Sequence, residues 1–339
     1  MEGPEKLPEK LPGPDRIVGT DEVSEKNLKL LLTETIRDQK FESFEREKTL
    51  EERVIFYEIT KKIPDFIKEY GAERTKFVLE NQIHILDGSK QDSEQVQHFL
   101  EDEIGGTYSS NGRIDILSTD GEYLHTAHAL VHELMHAHSF ESSTLKILSA
   151  NVGGTGDAPL TRTVDGREEK ASLEHRRFGL EVFEKGESKL FTYLNEAVTE
   201  ELTRRFCERY FKDIPHVNTE FAKYSFENKP ENQELPVRNL ILVGLHEASD
   251  KLSFYAYTKE RIALGWIVHV LYQENQNKFK NPEEVFQLFS QALFTGKSLE
   301  IARLIEKSVG IGKGSFRKMG KIDVGMFLDE MLEKFKQEY

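Results

Sequence analysis

The chain has 339 residues, 31% of them charged and 37% hydrophobic, a balance that suits one large or two modest domains with a buried core. Lys and Arg number 46 against 60 Asp and Glu, giving a net charge of −14. A surface that acidic repels phosphate backbones and anionic lipid, so neither nucleic acid nor a membrane is an expected partner. The single cysteine, Cys207, excludes an internal disulfide framework and any multi-thiolate zinc site. No apolar run approaches the roughly 20 residues of a membrane-spanning helix. The opening Met-Glu-Gly-Pro-Glu lacks the basic-then-apolar pattern of a secretory leader, so a cytoplasmic protein is expected.

Residues 1–27 are rich in Pro, Glu, Lys and Gly and too poor in apolar surface to offset ordering entropy, so a flexible tail is expected. Residues 28–75 read as helical, with Val54, Phe56, Tyr57, Ile63, Phe66 and Ile67 near a 3.6-residue period. Pro64 is expected to open a second short helix that Gly71 closes. Residues 76–150 read as a small α/β lobe. Strand-like runs at 77–85 and 112–117 flank a helical stretch at 92–103 and precede a histidine-rich helix. Gly153, Gly154, Gly156, Pro159 and Gly166 mark a loop over 151–167. From about residue 188 the pattern is helical, most clearly at 253–273, 282–295, 298–309 and 322–337. Residues 151–339 are therefore expected to form a larger helical lobe, and the fold class is α+β, predominantly α.

The run His125-Thr-Ala-His128-Ala-Leu-Val-His132-Glu133-Leu-Met-His136 contains the pattern His-Glu-x-x-His. Helical spacing places His125, His128, His132 and His136 within an arc of about 80°, opposite Leu130, Val131, Leu134 and Met135. Such a helix buries its apolar face and turns a row of imidazoles toward a cleft. Two neutral imidazoles one turn apart can both reach a tetrahedral zinc ion at about 2.0–2.1 Å, which makes His132 and His136 candidate ligands of one Zn2+. Glu133, next to the first ligand, is placed to take a proton from a water whose pKa zinc lowers to about 7. His125 and His128 share the face, but a site needs only two ligands from this helix. His138 falls toward the apolar side and reads as a packing residue.

A catalytic zinc site needs a third protein ligand and an open position. Downstream, Phe191-Thr-Tyr-Leu-Asn195-Glu196-Ala-Val-Thr-Glu200 leads a stripe of Leu194, Val198, Leu202 and Phe206 at helical spacing, with Glu196 and Glu200 on one face. Together the two motifs, spread over about residues 76–210, resemble the gluzincin metallopeptidases, and uncharacterised bacterial members more than the secreted ones. The resemblance implies a zincin-like small α/β lobe carrying the His-Glu-x-x-His helix, followed by a larger helical lobe with the third ligand. It implies His132, His136 and Glu196 as the ligands of a single zinc, with Glu133 as general base. Glu200 becomes the outer carboxylate that orients a ligand imidazole, at a position where the family more often has Asp. Family members pair an edge strand with an extended substrate, here at about 105–117, and take an oxyanion donor from the helical lobe. Candidates for that donor are His246, Tyr255, Tyr257 and Arg261, with Tyr257 preferred.

Other patterns fit less well. Ser139 and Ser142 stand where a metzincin has Gly and His. Gly154-Thr155-Gly156-Asp157 opens like an aspartate-ligand zincin pattern, which keeps Asp157 as an alternative third ligand, but Leu160 and Thr161 replace its Tyr-Gly. Lys313 is followed by Gly314 where a P-loop requires Ser or Thr, so 309–315 reads as a turn. Cys207 reads as a small core residue. The expected activity is zinc-dependent hydrolysis of a peptide or protein. The alternatives are a non-enzymatic interaction or regulatory protein on a degenerate zincin scaffold, and hydrolysis of another amide or ester.

Overall fold

A computed structural model describes residues 15–18, 44–88, 105–109, 112–118, 121–147, 160–164, 167–183, 189–226, 255–308 and 315–321. The architecture is mixed, α+β, with two small sheets among helices.

Helix α1 (Leu50–Glu69) starts at a capping box. Thr49 Oγ1 accepts from the Glu52 amide at 3.2 Å, and Glu52 Oε2 accepts from the Thr49 amide at 2.8 Å. The helix runs unbroken through Pro64 rather than restarting there, correcting the expectation of two helices. Ile55, Ile59, Ile63, Phe66 and Ile67 lie in one buried register on both sides of the proline. Burying that stripe as a unit outweighs the ~3 kcal/mol that an interior proline costs. Gly71, at φ +91°, ends the segment in a left-handed conformation.

Strands β2 (Glu45–Arg46), β3 (Ile83–Asp87), β4 (Gly106–Tyr108) and β5 (Ile114–Ser118) form a sheet in the order β2-β3-β5-β4, after β1 (Arg16–Val18) in the chain. β3 and β5 are parallel, while β4 runs antiparallel to β5 and is the last strand of this order. Ile83, Ile85, Ile114 and Ile116 alternate into the core. The expected strand at 77–85 is shorter than its pattern. Glu80–Gln82 form a 3₁₀ turn, and Phe77 and Leu79 before it stay exposed, so pairing begins at Ile83. The helix expected at 92–103 lies outside the described residues.

The second sheet has the order β1-β6-β8-β9-β10, with β6 (Glu141–Ile147), β8 (Arg167–Phe178), β9 (Glu181–Phe183) and β10 (Lys189–Leu190); β7 (Leu160–Val164) pairs with β8. It corrects two expectations. Residues 160–190 contribute strands to a segment read as loop and helical lobe, and Arg16–Val18 lies inside the segment read as a tail. The ladder from Glu141↔Phe178 to Ile147↔Ala171 is built from main-chain hydrogen bonds, and β8, rich in Arg, Glu and Lys, leaves little alternating hydropathy. β1 is fastened through Asp15, whose amide donates to the Glu141 carbonyl at 2.7 Å and whose Oδ2 accepts from the Glu141 amide at 2.8 Å.

Helix α2 (Tyr123–His138) begins where the Glu220 carboxylate of α4 (Val217–Phe226) accepts from the Leu124 amide at 3.0 Å. It ends at Ser139, whose carbonyl accepts from the Lys76 ammonium at 2.9 Å. Next to it lies α3 (Thr192–Tyr210), and α5 (Thr258–Glu274) packs on α3. α6 (Pro282–Thr295) fills the expected 282–295 span between an Asn281 cap and a left-handed Gly296 at φ +74°. α7 (Leu299–Ser308) and α8 (Ser315–Met319) follow. The stretch expected to be helical at 322–337 lies outside the described residues. One core joins Leu130, Val131, Leu134 and Met135 of α2 to Leu194, Val198, Leu202 and Phe206 of α3. α3 lies beside α2, and its Glu196 and Glu200 meet the imidazoles of His128, His132 and His136. Among the described residues no helix is long and apolar enough to cross a membrane.

Candidate metal centre

Three donor atoms converge between α2 and α3. His132 Nε2 and His136 Nε2 are 3.1 Å apart, and Glu196 Oε2 lies 3.3 Å from the first and 3.2 Å from the second. A tetrahedral zinc ion with bonds of about 2.0–2.1 Å has donor–donor edges of about 3.3–3.4 Å, so the three atoms span one face of such a shell. Among the described residues this is the group of His, Cys, Asp and Glu side chains with metal-binding spacing. Two imidazole nitrogens, one carboxylate oxygen and no thiolate suit zinc with a further position left for water or substrate.

Each donor is held from behind. His132 Nδ1 bonds to Glu200 Oε2 at 2.8 Å. An ionised carboxylate only accepts, so the ring carries its proton on Nδ1 and presents the Nε2 lone pair to the centre. Glu200 is fully buried. Burial raises its pKa, but the neighbouring His128 and His132 outweigh that and hold it down at about 2. His136 is held differently. Its ring stacks on Phe178 at 5.4 Å, and its buried Nδ1 has no hydrogen-bond partner among the described residues. Glu196 is anchored through its neighbour: Asn195 Oδ1 accepts from the Leu180 amide at 2.9 Å, and Asn195 Nδ2 donates to Glu196 Oε1 at 3.4 Å.

The charges are coupled. Burial works against the Glu196 carboxylate, yet His136 and His132 hold it well below the usual range. Burial likewise lowers His132, but its hydrogen bonds to Glu196 and Glu200 and the charges of Glu200 and Glu133 push it well above its ordinary value.

Glu133 lies on the same helix, almost wholly buried. Burial raises its carboxyl, with the Glu196 charge adding to the rise; His132, His136 and a hydrogen bond from the Tyr108 amide partly offset it. β4 reaches it because Gly106 lacks a side chain. A Cβ there would stand 2.9 Å from Glu133 Cγ and 2.8 Å from Ile116 Cδ1. The stretch expected as one edge strand, about 105–117, is two antiparallel strands: Gly106–Tyr108, last in its sheet among the described residues, lies along α2 beside the candidate base, and Ile114–Ser118 is paired on both sides.

Tyr257 precedes α5 in a left-handed conformation, φ +52°, and its ring stacks on His132 at 5.5 Å with planes 17° apart. Burial raises its phenol, and the charges of Glu196, Glu133 and Glu200 raise it further. Of the other oxyanion candidates, Tyr255 lies edge-on to His128, and Arg261 donates to Glu201 at 3.2 Å. His246 lies outside the described residues, as do Asp157 and Lys313. His125 is exposed, and it is not among the converging donors. His138 is a packing residue as expected. Its Nδ1 accepts from the Lys76 amide at 3.1 Å, while burial and the Lys76 charge bring its pKa to about 3. Cys207 is fully buried in the core. The contacts of Phe178 and Gly106 at the site are not foreseen from the sequence, because each depends on distant segments meeting. Comparison with protein-family models, curated proteins and solved structures gives no match for this chain.

Proposed function

We propose that the chain is a zinc-dependent metallopeptidase of gluzincin type, with His132, His136 and Glu196 as ligands and an extended peptide as substrate. The observation that carries the reading is the triangle of donor atoms with 3.1–3.3 Å edges, matched to a tetrahedral face. The α/β portion with α2 then corresponds to the zincin-like lobe, and α3 with the helices after it to the larger helical lobe. A bound zinc ion supplies Lewis-acid polarisation of the scissile carbonyl and acidifies water. Glu133, with its raised pKa, accepts the proton of the attacking water and passes it to the leaving amine. Glu200 fixes the His132 ring, and Tyr257 donates its hydroxyl proton toward the developing oxyanion. β4, last in its sheet among the described residues, offers backbone donors and acceptors to an extended chain.

The second reading is a non-enzymatic protein with a structural metal site. It is favoured by the burial of the centre, where His132, Glu133 and His136 are 7%, 5% and 6% exposed. A structural site has no use for a base at Glu133, which separates the two readings. Peptide-library cleavage with wild type and Glu133→Gln decides between them. The peptidase reading expects cleavage by wild type, a loss of about 10²–10⁴-fold in Glu133→Gln, and equal zinc content in both. Zinc bound without cleavage by either protein would favour the structural reading.

A further inference from the structure

We propose that His128 is a positioning residue of the metal centre, holding Glu200 so that Glu200 can in turn hold the ligand His132. The proposal rests on the reading of His132 as a zinc ligand. Glu200 uses both carboxylate oxygens. Oε2 accepts from His132 Nδ1 at 2.8 Å, while Oε1 accepts from His128 Nε2 at 2.8 Å and from the Ala256 amide at 3.0 Å. A carboxylate that only accepts fixes the tautomer of the ring nitrogens facing it, so His128 and His132 both donate.

The arrangement answers a problem set by the glutamate itself. A glutamate reaches its partner through one more rotatable bond than an aspartate, so a single hydrogen bond to His132 would leave the carboxylate free to swing. Glu200 is fully buried, and His128 is 5% exposed, which leaves little room for water to replace a lost donor. His128 sits one helical turn before His132 on α2, on the same face of the helix. Its ring is set edge-on against Tyr255 at 5.8 Å. The adjoining Ala256 supplies the other donor to Oε1, so the 255–257 segment and α2 grip the same oxygen from two sides. Removing the imidazole takes away one grip, loosens the Glu200 carboxylate, and lets the His132 ring rotate away from the lone-pair direction that faces His136 and Glu196.

The test compares His128→Leu and His128→Gln, both close to histidine in volume, with wild type and His132→Ala. Zinc affinity is measured by competition against a chromogenic chelator. The His132 Nδ1–H is read in the zinc-saturated proteins from its downfield, exchange-protected proton resonance, and thermal melting monitors the fold. The proposal expects a 10–100-fold weaker zinc affinity in His128→Leu, together with loss of the Nδ1–H signature of His132. In His128→Gln, whose amide can donate to Oε1, both should return to within a few-fold of wild type. A role in packing alone would leave that resonance unchanged and would not distinguish Gln from Leu. Should the Leu variant fail to fold, His128→Asn, polar but too short to reach Glu200, takes its place with the same expected loss. Wild-type affinity in the Leu or Asn variant, or a Gln variant no better than they are, would overturn the positioning role and leave the metal centre standing. Absence of zinc binding by wild type and His132→Ala alike would overturn the metal centre and this role with it.

Discussion

Glu200 and Glu201 are consecutive buried carboxylates with different tasks. Glu200 faces the imidazoles of α2, whereas Glu201 meets three guanidinium groups: Arg204 at 2.7 Å, Arg205 at 2.8 Å and Arg261 at 3.2 Å. Burial raises the Glu201 pKa, but Arg204, Arg261 and Arg205 outweigh it and hold the folded-state value at about 2, against 4.5 unperturbed. A depressed carboxyl binds fewer protons folded than unfolded, so its stabilisation is complete above the unfolded value. It is lost as pH falls from 4.5 toward about 2. That difference corresponds to about 3 kcal/mol. Glu201→Gln should destabilise the protein by about 3–5 kcal/mol at neutral pH, since it leaves buried arginines without their anion. Urea unfolding at several pH values checks this; stability of the variant falling as steeply as wild type over that acid range would contradict the assignment. The site residues were legible at this scale because His132, Glu133, His136, Glu196 and Glu200 fall into two local spacings that the helices preserve. His128 was visible on the same face, but its partner lies 72 residues away, and no local pattern signals that pairing.

At the scale of elements, β4 is placed by absence of bulk. An added Cβ at Gly106 would meet Ile116 Cδ1 at 2.8 Å, Glu133 Cγ at 2.9 Å and the Asp115 carbonyl at 3.0 Å. Gly106→Ala should therefore lift the strand from α2 and shift Glu133, lowering turnover by about 10²-fold while zinc is retained. Parallel zinc and rate measurements test it; loss of zinc alongside rate would place the damage in the ligands instead. Elements with strong end signals were readable, as in α6, where Asn281, Pro282 and Gly296 mark both termini. Pro64 misled because a proline is a local signal and the buried stripe of α1 is a longer-range one. The sheet built on β6 and β8 was not readable at all. Arg167–Phe178 carries one long charged strand whose stability comes from pairing with Glu141–Ile147, which sequence periodicity does not report.

For the whole molecule, the centre draws its donors from α2 and α3, which contribute to one core but follow different sheets in the chain. An ion bound there ties those segments together and stabilises the folded state by mass action, about 2.7 kcal/mol at a hundredfold excess over the dissociation constant. Chelation should lower the melting temperature, and zinc should restore it; a melting temperature indifferent to both would argue against a site formed on folding. The acid dependence has a definite sign. The carboxylates around His132 raise its metal-free pKa, so protons compete with the ion, and zinc affinity should strengthen as pH rises through neutrality. Titration of affinity against pH checks this, and a flat profile would contradict it.

The proposed zinc site is completed by Glu196. Its most direct test is the zinc-to-protein ratio of the purified chain after a brief chelator wash, with Glu196→Ala treated identically. A ratio near one is expected in wild type, with marked loss in the variant. Equal retention in both would remove Glu196 from the ligand set, and absence of zinc from both would remove the metal centre.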